Sequence, residues 1–146
     1  MKKIGEYRRL LGVDATVTLA ELKKIYRDEM KACHPDRFQH DETEKEAAEL
    51  RSREVIEAYH FLVSINPATL EAEKPEFEAT VTNQTIIDYK YENVRLEITF
   101  DNGITYEYIS VPKATYIKMI NADSPARFAK RHILRNFPYR KVSNAS

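Results

Sequence analysis

KKIYRDEMKACHPDRF, Lys23 to Phe38, is the stretch on which the fold turns. Upstream of the proline, Leu19, Leu22, Tyr26, Met30 and Cys33 recur at intervals of three and four, one apolar stripe of a helix. Lys23, Lys24, Arg27 and Lys31 lie largely off that stripe, with Asp28 and Glu29 among them. Pro35 disfavours helical backbone at His34, so the helix should end there. His34-Pro35-Asp36 is then either an ordinary helix stop, with Asp36 ordering the next turn, or a functional signature.

The surroundings bear on that choice. Thr18 can cap the helix while Glu21, three residues on, reaches back, a reciprocal capping box. Tyr7, Leu10 and Leu11 mark a short helix before it, ending near Gly12, where glycine accepts a left-handed backbone. After the loop, a helix beginning around Asp41 to Thr43 carries Ala48, Ser52, Val55, Tyr59 and Leu62 at helical spacing. Two such helices joined by a short loop bury their stripes against each other as an antiparallel hairpin. The first helix can pack across its base.

Placed in such a loop, the tripeptide resembles the signature of the J domain of DnaJ-type cochaperones. YRRLLGV resembles that family's opening helix, LKKIYRDEMKACHPDRF its second helix and loop, and VIEAYHFL the end of its third. The resemblance covers residues 4–63 and implies an all-α J-domain helical hairpin. It implies that His34, Pro35 and Asp36 dock on a DnaK-type ATP-driven chaperone, beside the basic face of Lys23, Lys24, Arg27 and Lys31, and stimulate that partner's ATP hydrolysis. ATP then belongs to the partner, and no cofactor is expected here. Some positions depart from the family pattern: Asp28 and Glu29 interrupt the basic helix, Cys33 stands where an aromatic or histidine is usual, and Ser52 replaces a common core aromatic.

Residues 64–83, SINPATLEAEKPEFEATVTN, combine two prolines with several acids and few large apolar groups, and read as a linker. Beyond them the period becomes two. Val94, Leu96, Ile98 and Phe100 alternate with Arg95, Glu97 and Thr99, and Asp101-Asn102-Gly103 supplies a hairpin turn. A second strand is expected from Ile104 to about Val111, with Thr85 to Tyr91 preceding both. Pro112 and Ser124-Pro125 announce two helices. Residues 84–142 should therefore form a small α+β domain with a three-stranded antiparallel sheet and two helices.

Tyr106-Glu107-Tyr108, VPKATY and FAKRHILRNFPYRKV within this half resemble the KTSC domain. That resemblance implies a fold more than an activity, although RNA binding has been suggested for the family. Whether the tyrosines offer a base-stacking platform depends on register. A two-residue Asn102-Gly103 loop puts them on the face of Arg95, Glu97 and Thr99. A three-residue loop instead sets Phe100 opposite Ile104, Ile98 opposite Tyr106 and Leu96 opposite Tyr108. The apolar match favours the latter and makes the tyrosines core, while placing Glu97 opposite Glu107.

The 146 residues carry 23 basic and 23 acidic side chains, but unevenly. Up to Val63 the counts are 12 basic against 13 acidic, from Ser64 to Ile109 they are 3 against 9, and from Ser110 onward 8 against 1. Arg127, Lys130, Arg131, Arg135, Arg140 and Lys141 are thus the candidate nucleic-acid surface, unless the acidic segment neutralises them within the fold. With 42% hydrophobic and 32% charged residues, no apolar run approaching about 18 residues and no secretory-type N-terminus, a cytoplasmic protein without membrane attachment is expected. The single Cys33 excludes an internal disulfide and reads as core. His34, His40, His60 and His132 lack metal-ligand spacing, and no nucleophile or phosphate loop accompanies His34 and Asp36, so neither metal nor catalysis is expected. The function expected is that of a cochaperone whose second domain selects client or location. The alternative is an RNA-binding module in which the hairpin is secondary.

Overall fold

A computed structural model describes residues 3–142 of the chain. It forms two compact units that divide between Thr69 and Leu70.

In the first unit α1 (Ile4–Leu11) ends at Gly12 with φ 68°, the left-handed cap its sequence demands. The segment α2 (Leu19–Cys33) opens with the complete capping box: Thr18 Oγ1 accepts from Glu21 N–H at 3.1 Å and Glu21 Oε1 accepts from Thr18 N–H at 3.2 Å. The segment α3 (Glu42–Ile65) is capped by the Asp41 side chain. Leu22, Val55, Ala58, Phe61 and Leu62 fill the core between these helices. Tyr7 stacks on Phe61 at 4.5 Å and Tyr26 on Tyr59 at 4.2 Å, so aromatic pairs tie α1 and α2 to α3.

The reading of residues 64–83 as a linker is corrected: α3 continues to Ile65, and α4 (Pro67–Asn83) follows after a single residue. That residue, Asn66, accepts Ala68 N–H on Oδ1 while its amide donates to the Val17 carbonyl. Pro67 suits a helix start, but Pro75 lies inside the helix, where it forfeits one backbone hydrogen bond. Phe77, Thr80 and Val81, spaced three and four apart, hold the helix by burial in the second unit.

The second unit's sheet has four antiparallel strands in sequential order rather than the expected three. They are β1 (Ile86–Glu92), β2 (Arg95–Phe100), β3 (Thr105–Tyr108) and β4 (Tyr139–Lys141). The last is three residues after Pro138, too short and too basic for alternation to reveal. It exists because Tyr139 stacks on Phe77 at 3.8 Å and pairs with Tyr108 across the ladder. The helices α5 (Lys113–Ile120) and α6 (Pro125–His132) complete the unit, the latter with Ser124 as cap and Pro125 in its first turn.

Between β2 and β3 the register is Ile98 opposite Tyr106 and Leu96 opposite Tyr108, closed by Gly103 at φ 85°. This is the three-residue hairpin, and both tyrosines are buried with Leu96, Ile98, Phe100, Met119 and Leu134. Val94 does not join β2. With Asn93 it forms the turn after β1, at φ 56° and 51°, a backbone region that β-branched residues avoid.

Candidate functional site

The loop between α2 and α3 is built by backbone and side-chain bonds acting together. His34 leaves the helix with extended backbone, and Pro35–Phe38 wind into one 3-10 turn. The imidazole Nδ1 of His34 accepts the Asp36 N–H at 3.2 Å, and the His34 carbonyl accepts the Arg37 N–H at 3.1 Å. With Nδ1 accepting, the neutral ring carries its proton on Nε2, which none of these loop bonds uses. The Asp36 carboxylate lies 3.5 Å from the same Nδ1. Arg37 then clips the loop to its parent helix, donating to the Lys31 carbonyl at 3.0 Å. These bonds spend backbone groups and Nδ1, while His34 and Asp36 side chains remain 53% and 79% exposed.

Below the loop the helices are held at close range. Ser52 Oγ donates to the Cys33 carbonyl at 3.1 Å and sits 3.5 Å from the Cys33 sulfur. The departures from the family pattern at Cys33 and Ser52 are therefore partners: a small hydroxyl faces a small thiol and satisfies a carbonyl at the helix end. Arg51 reaches from α3 to the Leu10 carbonyl and to Glu29, each at 3.2 Å.

Lys23, Lys24, Arg27 and Lys31 are all exposed on α2. Glu29 is occupied by Arg51, so it subtracts less from the basic face than the sequence implies, whereas Asp28 stays exposed. The first unit thus presents a rigid polar loop beside a cationic helix face. Arg37 and Arg51, which carry this arrangement, give no periodic or motif signal in the sequence.

The DnaJ-domain family model matches residues 6–67, and the KTSC-domain model matches residues 82–137. The chain thus carries a DnaJ-type J domain followed by a KTSC domain. Its J domain is 43% identical over 61 residues to the chaperone protein DnaJ of Thermotoga maritima, a stretch covering 42% of this chain and 16% of that protein. It is 46% identical over 57 residues to the same-named protein of Ruminiclostridium cellulolyticum, covering 39% of this chain and 14% of the relative. The DnaJ of Thermoplasma acidophilum is 42% identical over 57 residues, covering 39% and 15%. The chain therefore spans only about a seventh of the length of these relatives, all of it in the J domain.

Three of the six basic residues singled out in the C-terminal half are paired with acids. Arg135 donates to Glu78 at 3.2 Å and to Thr82 at 2.8 Å, and Lys141 pairs with Glu76 at 2.6 Å. Arg140 pairs with Glu107 at 2.9 Å. Arg127, Lys130 and Arg131 remain exposed on α6. Half of the candidate nucleic-acid surface is thus engaged by acidic groups of the same compact unit, the neutralisation that the charge blocks allowed.

Glu107 is the residue the sequence concealed. Only 2% of its side chain is exposed, and its Oε1 meets Arg95 Nη1 at 3.4 Å and Arg140 Nε at 2.9 Å. The β2–β3 register aligns it with Glu97, and the β3–β4 register delivers Arg140 on its other side.

On the opposite sheet face the hydroxyls of Tyr106 and Tyr108 are buried; that of Tyr108 has no hydrogen-bond partner, while Thr80 partly offsets the effect of burial on Tyr106. Burial, with the Glu76 charge adding, pushes the Tyr106 hydroxyl up to about 12, and burial raises Tyr108 further. Both are apolar filling under these conditions, not a stacking platform. Among the described residues no group of three or more His, Cys, Asp or Glu could hold a metal ion, and no helix is long and apolar enough to cross a membrane.

Proposed function

We propose that the chain is a cochaperone whose His34-Pro35-Asp36 loop docks on a DnaK-type chaperone and stimulates the partner's ATP hydrolysis. The observation that carries this reading is the loop itself, fixed through Nδ1 and backbone bonds while the His34 and Asp36 side chains stay exposed. A preorganised loop loses little freedom on binding, so its contacts are available for affinity. Lys23, Lys24, Arg27 and Lys31 steer an acidic partner toward it and set the rate of encounter. Docking favours the partner's hydrolysis-competent state. The J-domain relatives, each called a chaperone protein, support the same role. The KTSC domain, absent from the matched part of those relatives, selects client or location.

The test is ATP turnover of a purified DnaK-type chaperone with and without this protein. His34→Gln should return turnover to the basal rate while leaving helical circular dichroism unchanged, because the side chain is exposed. Equal stimulation by both proteins refutes the proposal. Of the six basic residues named for the RNA-binding alternative, Arg127, Lys130 and Arg131 alone have no acidic partner, and no observation favours it.

A further inference from the structure

The first strand of the KTSC domain is an edge, and it carries its own complement. In the sequential order of the sheet, β1 has β2 on one side and, among the described residues, no strand on the other. Phe100 N–H bonds the Ile104 carbonyl, so Phe100, and by alternation Ile98, turn their backbone groups toward β3. Tyr89, opposite Ile98, must therefore turn its own N–H and C=O away from β2, to the open edge. Consistently, Tyr89 N–H finds no acceptor on β2 and bonds a local one, Asp88 Oδ1, at 2.9 Å, a bond that pairing along this edge would exchange for one to the new strand. Tyr91 points the same way by the two-residue period.

Exposed apolar groups accompany this edge: Ile87, the residue at the register shift, is 61% exposed and Tyr89 39%. Asp88 and Lys90 flank Tyr89, with Lys90 opposite Glu97 and Asp88 opposite Thr99 within the sheet. A bulge and charges are the usual means of blunting an edge, but here the charges are ordered so as to discriminate between registers.

We propose that β1 pairs antiparallel with β1 of a second copy, about a two-fold axis through Tyr89, to give a continuous eight-stranded sheet. In that register the outward N–H and C=O of Tyr89 exchange both bonds with Tyr89 of the second copy. Asp88 then faces Lys90 of the second copy, and Lys90 faces Asp88 of the second copy. Centring the pair on Lys90 instead would set lysine against lysine and Asp88 against Glu92. Centring it on Tyr91 would run Tyr89 and Asp88 past the strand into Asn93 and Val94. Charge and hydrogen-bond phase therefore select one register, and the symmetry makes the interface closed. Few residues are involved, so the dimer is a weak, concentration-dependent one.

Light scattering and sedimentation of the full chain should show the mass rising from 17.0 kDa toward twice that value as concentration increases, across about 1 µM to 1 mM, the affinity range expected of a small interface. Asp88→Lys and Lys90→Asp should each abolish the rise, since each sets like charges against each other twice. Mixing the two variants should restore it, because D88K then meets K90D of the other chain. Circular dichroism of each variant guards against misfolding, and the mixture's recovery is a result that misfolded chains cannot give. A wild-type chain that stays at 17.0 kDa throughout overturns the proposal, as does association that survives both substitutions. If the wild type remains monomeric while an extended peptide protects the Tyr89 and Tyr91 amides from exchange, the edge serves a client strand instead.

Discussion

Glu107→Ala should be among the most damaging single changes in the KTSC domain. The carboxylate is 2% exposed, with guanidinium nitrogens at 2.9 and 3.4 Å. At an effective dielectric near 20, such contacts amount to roughly 5 kcal/mol each before desolvation. Desolvating the three groups offsets most of that sum. The net cost of breaking a buried pair is about 3–5 kcal/mol, arising chiefly because the cations lose their shared counter-charge. Two features pull the expectation toward the lower end. Arg140 is 17% exposed and can turn to water, and removing Glu107 relieves the repulsion from Glu97 in the register opposite. A loss of about 3 kcal/mol is therefore expected, with Glu107→Gln milder because one hydrogen bond can survive. Because the chain has two units, the measurement should be amide exchange or NMR-monitored urea unfolding of β2 and β3, not a global melt. A cycle pairing Glu107→Ala with Arg140→Ala should show coupling above about 1 kcal/mol. A loss under about 1 kcal/mol for Glu107→Ala would refute the claim that this carboxylate organises the outer sheet face.

Three further outcomes follow from strained or dry groups. Tyr108→Phe removes a buried hydroxyl that has no partner, so the domain should hold its stability or gain about 1 kcal/mol by urea midpoint; a loss of that size would mean the hydroxyl is satisfied. Val94→Gly should gain about 1 kcal/mol by relieving a left-handed backbone at an exposed turn position, checked by the same unfolding curve. Alkali should destabilise the domain: Tyr106 titrates near 10.0 when unfolded and about 12 when folded, so the unfolded chain releases its proton first. The stability from keeping that hydroxyl neutral is complete below pH 10 and falls as pH rises from about 10 to about 12, which urea midpoints across that window will report.

Much of the J domain was legible because its signals are local. A capping box, a glycine stop and an Asp41 cap each act over a few residues, and the apolar stripes need no distant partner to be recognised. The Tyr106 and Tyr108 faces were legible for a different reason, since a one-residue slip would have exposed the entire apolar set of β3. By contrast, α4 hid behind Pro75, which argues against helix locally and is outweighed by the burial of Phe77 and Val81. The strand β4 hid because its three residues are specified by contacts with Phe77, Tyr108 and Glu107, all more than 30 positions away. At the loop between α2 and α3 the exposed pair His34 and Asp36 was readable, whereas the Arg37 clip and the Arg51 brace depend on three-dimensional reach.

The contact between Cys33 and Ser52 makes the chain its own stopwatch. The lone thiol is only 8% exposed and closes against α3 at the base of the loop, so a thiol reagent should label it much faster when the two helices part. Labelling rate then counts openings of the hairpin without any engineered probe. A bound chaperone that clamps the loop should slow that count, which turns a buried sulfur into a readout of docking in the intact protein.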